Sequence, residues 1–198
     1  MDKETIKTYN CIATQYDHET ANFWNRFPRT ILDTFADLVT GNVLDVGSGP
    51  GRDALLLKDY NLKVTCLDAS DAMIELCLGR GLDAKVGDFT HMPFSDNYFD
   101  GVWAYTSLQH VPKSQIFTPI KEVRRVLKDK GIFGLGLIEG TTEGYKIDAD
   151  LNNQRRWFSY YTKLEVEILL ETNGFEVIYF EYFRPRSKNY LNFIARKA

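Results

Sequence analysis

Three glycines spaced two apart, Gly47, Gly49 and Gly51, follow the apolar run Val43-Leu44-Asp45-Val46 and precede a helical stretch beginning at Arg52. A buried strand that runs into glycines and then a helix lets a ligand approach the backbone closely, through a turn whose dihedrals other residues resist. The first turn of the helix leaves N–H groups unbonded and presents the positive end of a dipole, which suits a polar or negative ligand group. A second apolar run, Leu62 to Leu67, ends at Asp68, twenty-one positions after Gly47. An acid at that distance is placed to accept hydrogen bonds from both hydroxyls of a ribose. Glycine turn and distal acid together imply an adenosine-type ligand at the point where strand order reverses. The plain alternative for the glycines, a tight turn, gives Asp68 no role.

The elements that must hold these residues follow from periodicity. Strand-like runs lie at Val43–Val46, Leu62–Leu67, Ala84–Val86, Phe99–Tyr105 and Ile132–Ile138, with Gly134 and Gly136 in the last allowing close packing. Helical stretches fall between them, at Arg52–Tyr60, at Ser70–Leu78 and through Ile116, Ile120, Val123 and Leu127. Thr162 and Glu165 form a T-x-x-E capping box that opens a helix to about Thr172, and Gly174 stops it. This alternation predicts an α/β fold with a mostly parallel sheet and helices on both faces. The last two runs, Phe175–Phe183 and Tyr190–Ala195, are joined by Arg184 to Lys188 with Pro185 inside. No crossover helix fits there, so the pair is expected to be an antiparallel hairpin. The chain reads as a single domain over residues 1–198, an α/β core from 41 to 198 preceded by a helical region at 1–40 that is a candidate lid. In that region Ile31, Leu32, Phe35, Leu38 and Val39 lie at helical spacing behind Pro28.

Composition narrows the function. With 198 residues, 44% hydrophobic and 26% charged, the chain is long enough for one full core. A net charge of −3 and the absence of a basic run argue against nucleic acid as partner. Cys11, Cys66 and Cys77 form no CxxC pair and read as free thiols in a reducing compartment. No signal peptide or membrane-length apolar stretch is seen, so the expected location is cytoplasmic. The three histidines lie far apart with no paired-cysteine or H-E-x-x-H spacing, so no metal is expected.

The glycine spacing is G-x-G-x-G with Asp45 two residues ahead, not the G-x-G-x-x-G of dinucleotide sites. It resembles motif I of the class I S-adenosylmethionine-dependent methyltransferases. The likeness continues in order along roughly residues 5 to 198. Asp68-Ala69-Ser70-Asp71-Ala72-Met73 is similar to the D-x-S-x-x-M segment of the branch that includes the ubiquinone/menaquinone-biosynthesis methyltransferases. Gly87-Asp88-Phe89 through Met92-Pro93-Phe94, Phe99-Asp100-Gly101-Val102 with Ser107-Leu108-Gln109-His110-Val111, and Glu122 to Lys128 resemble the segments that follow. Where the family usually has Pro-Gly-Gly, this chain has Asp129-Lys130-Gly131. The resemblance implies a Rossmann-like seven-stranded sheet with a terminal antiparallel hairpin, S-adenosylmethionine as cofactor and a small-molecule methyl acceptor. It implies that Asp45, Gly47, Gly49 and Gly51 border the methionine part and that Asp68 holds the ribose. Ala69 and Met73 would flank the adenine, Asp88 would bond its amino group, and Phe89 would lie beside the ring. Tyr105 would pass near the amino-acid portion, and Tyr9 and Tyr16 would close over the cofactor. Met73, Phe89, Tyr9 and Tyr16 serve equally well as packing residues, and Asp88 as a turn cap.

Methyl transfer is a direct displacement in which the sulfonium carries the hard chemistry and the protein mainly aligns the reactants. A base is needed only where the acceptor must lose a proton. His110 is the candidate, because it follows the fourth strand on the ligand side of the sheet and titrates in the useful range; a positioning histidine is the alternative. His91 and His18 are weaker candidates. Phe23, Trp24, Tyr145, Arg155 and Trp157 are candidates for the acceptor pocket, the last three in or beside the long segment after the fifth strand. A Y-x-x-x-K reductase pair, the [DNS]-P-P-[YFW] segment of amino-methylating nucleic-acid enzymes and the Pro-Cys nucleophile of cytosine-C5 enzymes are all absent. Two readings stay open beside the enzyme: a regulatory protein that binds S-adenosylmethionine without turnover, and an RNA methyltransferase.

Overall fold

The computed structural model describes residues 2–148, 154–185 and 188–198. Seven strands form one sheet in the order β3-β2-β1-β4-β5-β9-β8. They are β1 (Asn42–Val46), β2 (Lys63–Asp68), β3 (Asp83–Val86), β4 (Phe99–Tyr105), β5 (Leu127–Ile138), β8 (Phe175–Phe183) and β9 (Tyr190–Lys197). Pairing is parallel from β3 through β5 and antiparallel for β5–β9 and β8–β9, so the expected terminal hairpin is present. Strand order reverses between β1 and β4, which makes the carboxyl ends of these two strands the place where a crevice opens.

Helices cover both faces because the central strands are apolar on both. On one face α6 (Phe117–Val126) and α7 (Lys163–Thr172) pack over Phe99, Phe133 and Phe193. On the other, α3 (Thr30–Leu38), α4 (Arg52–Lys58) and α5 (Asp71–Gly79) pack over Val43, Cys66 and Trp103. The α7 capping box is complete, with Thr162 and Glu165 exchanging side-chain and backbone hydrogen bonds. Ser70 caps α5 through a bond from the Met73 N–H.

Three expectations change. The helical region at 1–40 is not uniform. Ile31, Leu32 and Phe35 of α3 are fully buried against the sheet, so α3 is a core helix. Only α1 (Lys3–Thr20) and α2 (Phe23–Arg26) remain as a cover. The long segment after β5, to which periodicity assigns no element, contains a two-stranded antiparallel ribbon in its described part, β6 (Glu143–Asp148) with β7 (Gln154–Ser159). Lys146, Arg155, Arg156 and Gly144 interrupt its apolar alternation, which hides it from periodicity. Finally, β5 begins not at Ile132 but at Leu127, which pairs with Phe99, and the register shifts across Asp129–Gly131, where Lys130 takes φ +65°.

The sheet also fixes one wall of the crevice through a missing side chain. A Cβ on Gly136 would stand 2.3 Å from Cδ2 of Tyr105, inside any real contact distance. The absent side chain on β5 therefore lets the Tyr105 ring lie flat across the sheet, stacked on Trp103 and Tyr190 at centroid distances of 5.5 and 6.2 Å. Gly136→Ala is expected to push that ring aside and to destabilise the fold by about 1–3 kcal/mol through overpacking; urea denaturation checks the value, and near-ultraviolet circular dichroism reports the moved aromatic stack.

Candidate functional site

The carboxyl ends of β1, β2 and β4 open into a cavity of about 680 Å3, counting its mouth, roofed by α1. Of the residues singled out from the sequence, Tyr16, Asp45, Gly47, Gly49, Asp68, Ala69, Met73, Phe89, Tyr105 and His110 line it. Tyr9 does so too. Gly51 and Asp88 are not on its wall. Gly51 takes φ +83° at the start of α4, and a Cβ there would strike Leu82 Cδ1 at 2.4 Å, so this glycine serves the turn and the packing of α4 on α5. Asp88 is half-buried and accepts the Thr90 N–H at 2.8 Å, as a turn-capping aspartate does.

The glycine turn is tied down from three sides. Gly47 N–H donates to the Leu67 carbonyl at 2.7 Å and its φ is +68°. A Cβ on Gly47 would lie 2.3 Å from that of Ser107, whose hydroxyl donates to the Val46 carbonyl at 2.6 Å. Gly49 N–H donates to Asp68 Oδ2 at 2.9 Å, and the Cys77 thiol donates to the Gly49 carbonyl at 3.2 Å. Asp68 Oδ1 accepts the Ser70 N–H at 2.8 Å. One carboxylate thus spans the glycine turn and the start of α5 and still borders the cavity.

Three buried carboxylates in this region sit in different environments. Asp68 is raised by burial, partly offset by its backbone hydrogen bonds. Asp45 is raised well above the usual carboxylate range by burial and then by nearby Asp53, and its Oδ2 is buried with no hydrogen-bond partner. Burial also acts against the charge of Asp53, but Arg52 and two indoles outweigh it and hold its carboxyl low. Arg52 Nε donates to Asp53 Oδ1 at 2.6 Å, Trp24 Nε1 to the same oxygen at 2.7 Å, and Trp103 Nε1 to Oδ2 at 2.9 Å. The sequence reading did not single out Arg52 and Asp53. Their signal was a charged pair directly after Gly51, where α4 must pack on the sheet.

His110 is 3% exposed and both its ring nitrogens are engaged. Nδ1 lies 2.6 Å from the Trp157 carbonyl, so Nδ1 carries the proton and Nε2 accepts the Tyr9 hydroxyl at 2.8 Å. Arg156 donates to the same hydroxyl at 3.1 Å. Burial pushes the His110 pKa down to about 4, the Trp157 bond opposing and Arg156 adding to it. His110 is therefore a neutral acceptor that positions Tyr9, and no ring nitrogen is left for a substrate proton while α1 is seated.

α1 is held over the cavity by polar contacts. Asn10 Oδ1 accepts from the Ser70 hydroxyl at 2.6 Å, Asp17 pairs with Arg80 at 2.5 Å, and Thr5 Oγ1 accepts the Trp157 N–H at 2.8 Å. The five acceptor-pocket candidates do not line the main cavity. Tyr145 donates to Asp2 and Arg155 pairs with Glu4, both at the outer edge of α1. Trp157 backs His110 with its carbonyl. Phe23 and Trp24 pack around Arg52, and Trp24 lines a second hollow beside the first. His18 and His91 are on neither wall.

A family profile described as a methyltransferase domain matches residues 44–135. An uncharacterized methyltransferase of Staphylococcus carnosus is 31% identical over 82% of this chain and 86% of its own length. A demethylmenaquinone methyltransferase of Thermotoga maritima is 27% identical over 98% of this chain and 82% of its own. A sterol 24-C-methyltransferase of Schizosaccharomyces pombe is 38% identical over 47% of this chain, which spans about a quarter (26%) of that relative. Among solved structures, the 1,6-didemethyltoxoflavin-N1-methyltransferase of Burkholderia thailandensis superposes with a TM-score of 0.71 at 19% identity, over 97% of this chain and 88% of that one, which is a likeness of fold.

The burial of His110 has a pH signature. Its folded pKa of about 4 lies below the ordinary 6.5, so the folded state refuses a proton that the unfolded chain takes up. Its contribution is complete above about pH 6.5 and is lost as pH falls toward 4, reaching on the order of 3 kcal/mol. Denaturation midpoints between pH 7 and 4 are expected to fall less steeply in His110→Asn than in the parent chain.

Proposed function

This chain belongs to the class I S-adenosylmethionine-dependent methyltransferases, and on that footing we propose that it methylates a small-molecule acceptor bound under α1. S-adenosylmethionine supplies the methyl group on a sulfonium that needs no further activation. The observation that carries the reading is the pair of carboxylates at opposite sides of the glycine turn. Asp68 keeps lone pairs toward the cavity for ribose hydroxyls while it anchors Gly49. Asp45 keeps a buried oxygen with no partner, which costs free energy unless a donor such as an ammonium meets it. Both fit the adenosyl and amino-acid halves of the cofactor, with Met73 and Phe89 as apolar walls near Asp68.

The protein's own contribution is alignment and exclusion of water. Tyr9 and Tyr16 stand edge to face over the cavity at 5.4 Å, and His110 and Arg156 fix the orientation of the Tyr9 hydroxyl. An enclosed cavity that holds two reactants in line gains rate by removing their freedom to misorient. Two of the relatives are named for demethylmenaquinone and sterol acceptors, which supports a small organic acceptor for this chain. The net charge of −3 supports it too, since RNA binding requires phosphate neutralisation.

Thermal unfolding with S-adenosylmethionine, S-adenosylhomocysteine or NAD tests the cofactor site. A ligand at a hundredfold over its Kd adds about 2.7 kcal/mol, a rise of roughly 5–11 °C for a domain of this size. The two adenosyl compounds are expected to give that rise and NAD none. Asp68→Asn is expected to reduce it and to weaken S-adenosylhomocysteine binding by about ten- to a hundredfold in calorimetry. Formation of S-adenosylhomocysteine with a panel of small metabolites tests turnover; product with bulk RNA and with no metabolite would overturn the acceptor class.

A further inference from the structure

We propose that Arg52 is the carboxylate receptor of the cavity, a role that rests on the reading of the cavity above. Arg52 lies between the two hollows and lines both. Its side chain is 19% exposed, and its Nε donates to Asp53. Asp53 is itself clamped by the Trp24 and Trp103 indoles, so it cannot swing away. The guanidinium also lies over the Phe23 ring at 4.8 Å and near that of Trp24 at 5.8 Å. Burial works against its charge, and Asp53 overcomes this and keeps it charged.

A guanidinium has five N–H donors, and only the one on Nε is used here. Among the described residues the two terminal nitrogens have no hydrogen-bond partner. A fixed, charged and largely dehydrated fork with free donors is a recognition element, because the cost of ordering it has been met by the fold. The complement of such a fork is a planar monoanion that takes two parallel N–H···O bonds. A dianionic phosphate is disfavoured, because Asp53 lies in contact with the fork and Asp68 borders the same cavity. The ligand group is therefore a carboxylate. Two sources are chemically equivalent at this point: the amino-acid tail of the cofactor, or a carboxylate on the methyl acceptor.

Calorimetric titration separates them. S-adenosylhomocysteine is compared with 5′-methylthioadenosine, which keeps the nucleoside and sulfur but lacks the amino-acid tail. Binding is measured in the parent chain, in Arg52→Gln and in Arg52→Lys, the last keeping a charge beside Asp53 while losing the fork. Circular dichroism verifies that each variant is folded. If the fork holds the cofactor tail, S-adenosylhomocysteine binding falls by ten- to a hundredfold in both variants and 5′-methylthioadenosine binding stays within about twofold. If it holds the acceptor, S-adenosylhomocysteine binding is unchanged, and millimolar benzoate binds the S-adenosylhomocysteine complex of the parent chain but not those of the variants. Equal binding of all three probes by parent and variants overturns the carboxylate role and leaves the methyltransferase reading standing. A parent chain that binds neither adenosyl compound overturns both.

Discussion

The carboxylate of Asp53 is the interaction on which the arrangement of the cavity depends. It lies on α4, one residue into the helix that follows the glycine turn, and is 5% exposed. Its hydrogen bonds reach the cover through Trp24, the central sheet through Trp103 on β4, and the cavity wall through Arg52. A buried charge with an incomplete set of partners costs several kcal/mol, so the three partners are held together by the penalty for separating them. The orientation of α2, the depth of the Trp103–Tyr105–Tyr190 stack and the pose of the guanidinium all follow from satisfying one anion.

The acids around the glycine turn show how a single fold gives like groups unlike properties. Asp53 has a cation and two indoles and stays ionised; Asp45, in the same buried layer, has burial and a neighbouring anion and favours its proton. The charge of Asp53 adds to the preference of Asp45 for its proton, since a like charge nearby raises the cost of a second. Asp68 lies between these extremes, stabilised by the Gly49 and Ser70 amides. The crevice thus presents a graded series of acceptors, set by hydrogen-bond supply and not by residue type.

What the sequence made legible was whatever repeats with a period or depends on a local turn. The strands and helices of the core, the Asp68 position and the terminal hairpin were readable because apolar spacing and glycine chemistry are local signals. Gly47 and Gly49 lie on one cavity wall with Asp68. Gly51 was grouped with them by spacing, although Leu82 and Cys77, far along the chain, decide what it faces. Asp88 rests on likeness of motif, and the bond its Oδ1 accepts from the Thr90 N–H has no periodic signal in the sequence. His110 was read as a base from its position after β4; only the fold brings Tyr9, from the other end of the chain, against its Nε2. The β6–β7 ribbon was missed because polar residues on both its faces erase the period-two pattern.

α1 buries little aliphatic surface: its enclosed residues are Thr5, Thr8, Ile12 and Ala13, and its other attachments are hydrogen bonds, two ion pairs and the ring contacts of Tyr9 with His110 and Arg156. Such contacts add little net free energy beyond what water offers the same groups, so the helix and the core beneath it are two units held by unequal apolar burial. Tyr16 and Thr20 belong to the first unit, and Asp68 and the glycine turn to the second, yet all face one cavity. Anything bound there touches both units at once. Thermodynamic reciprocity then applies: whatever a ligand gains in affinity from its contacts with α1, the attachment of α1 to the core gains in equal measure.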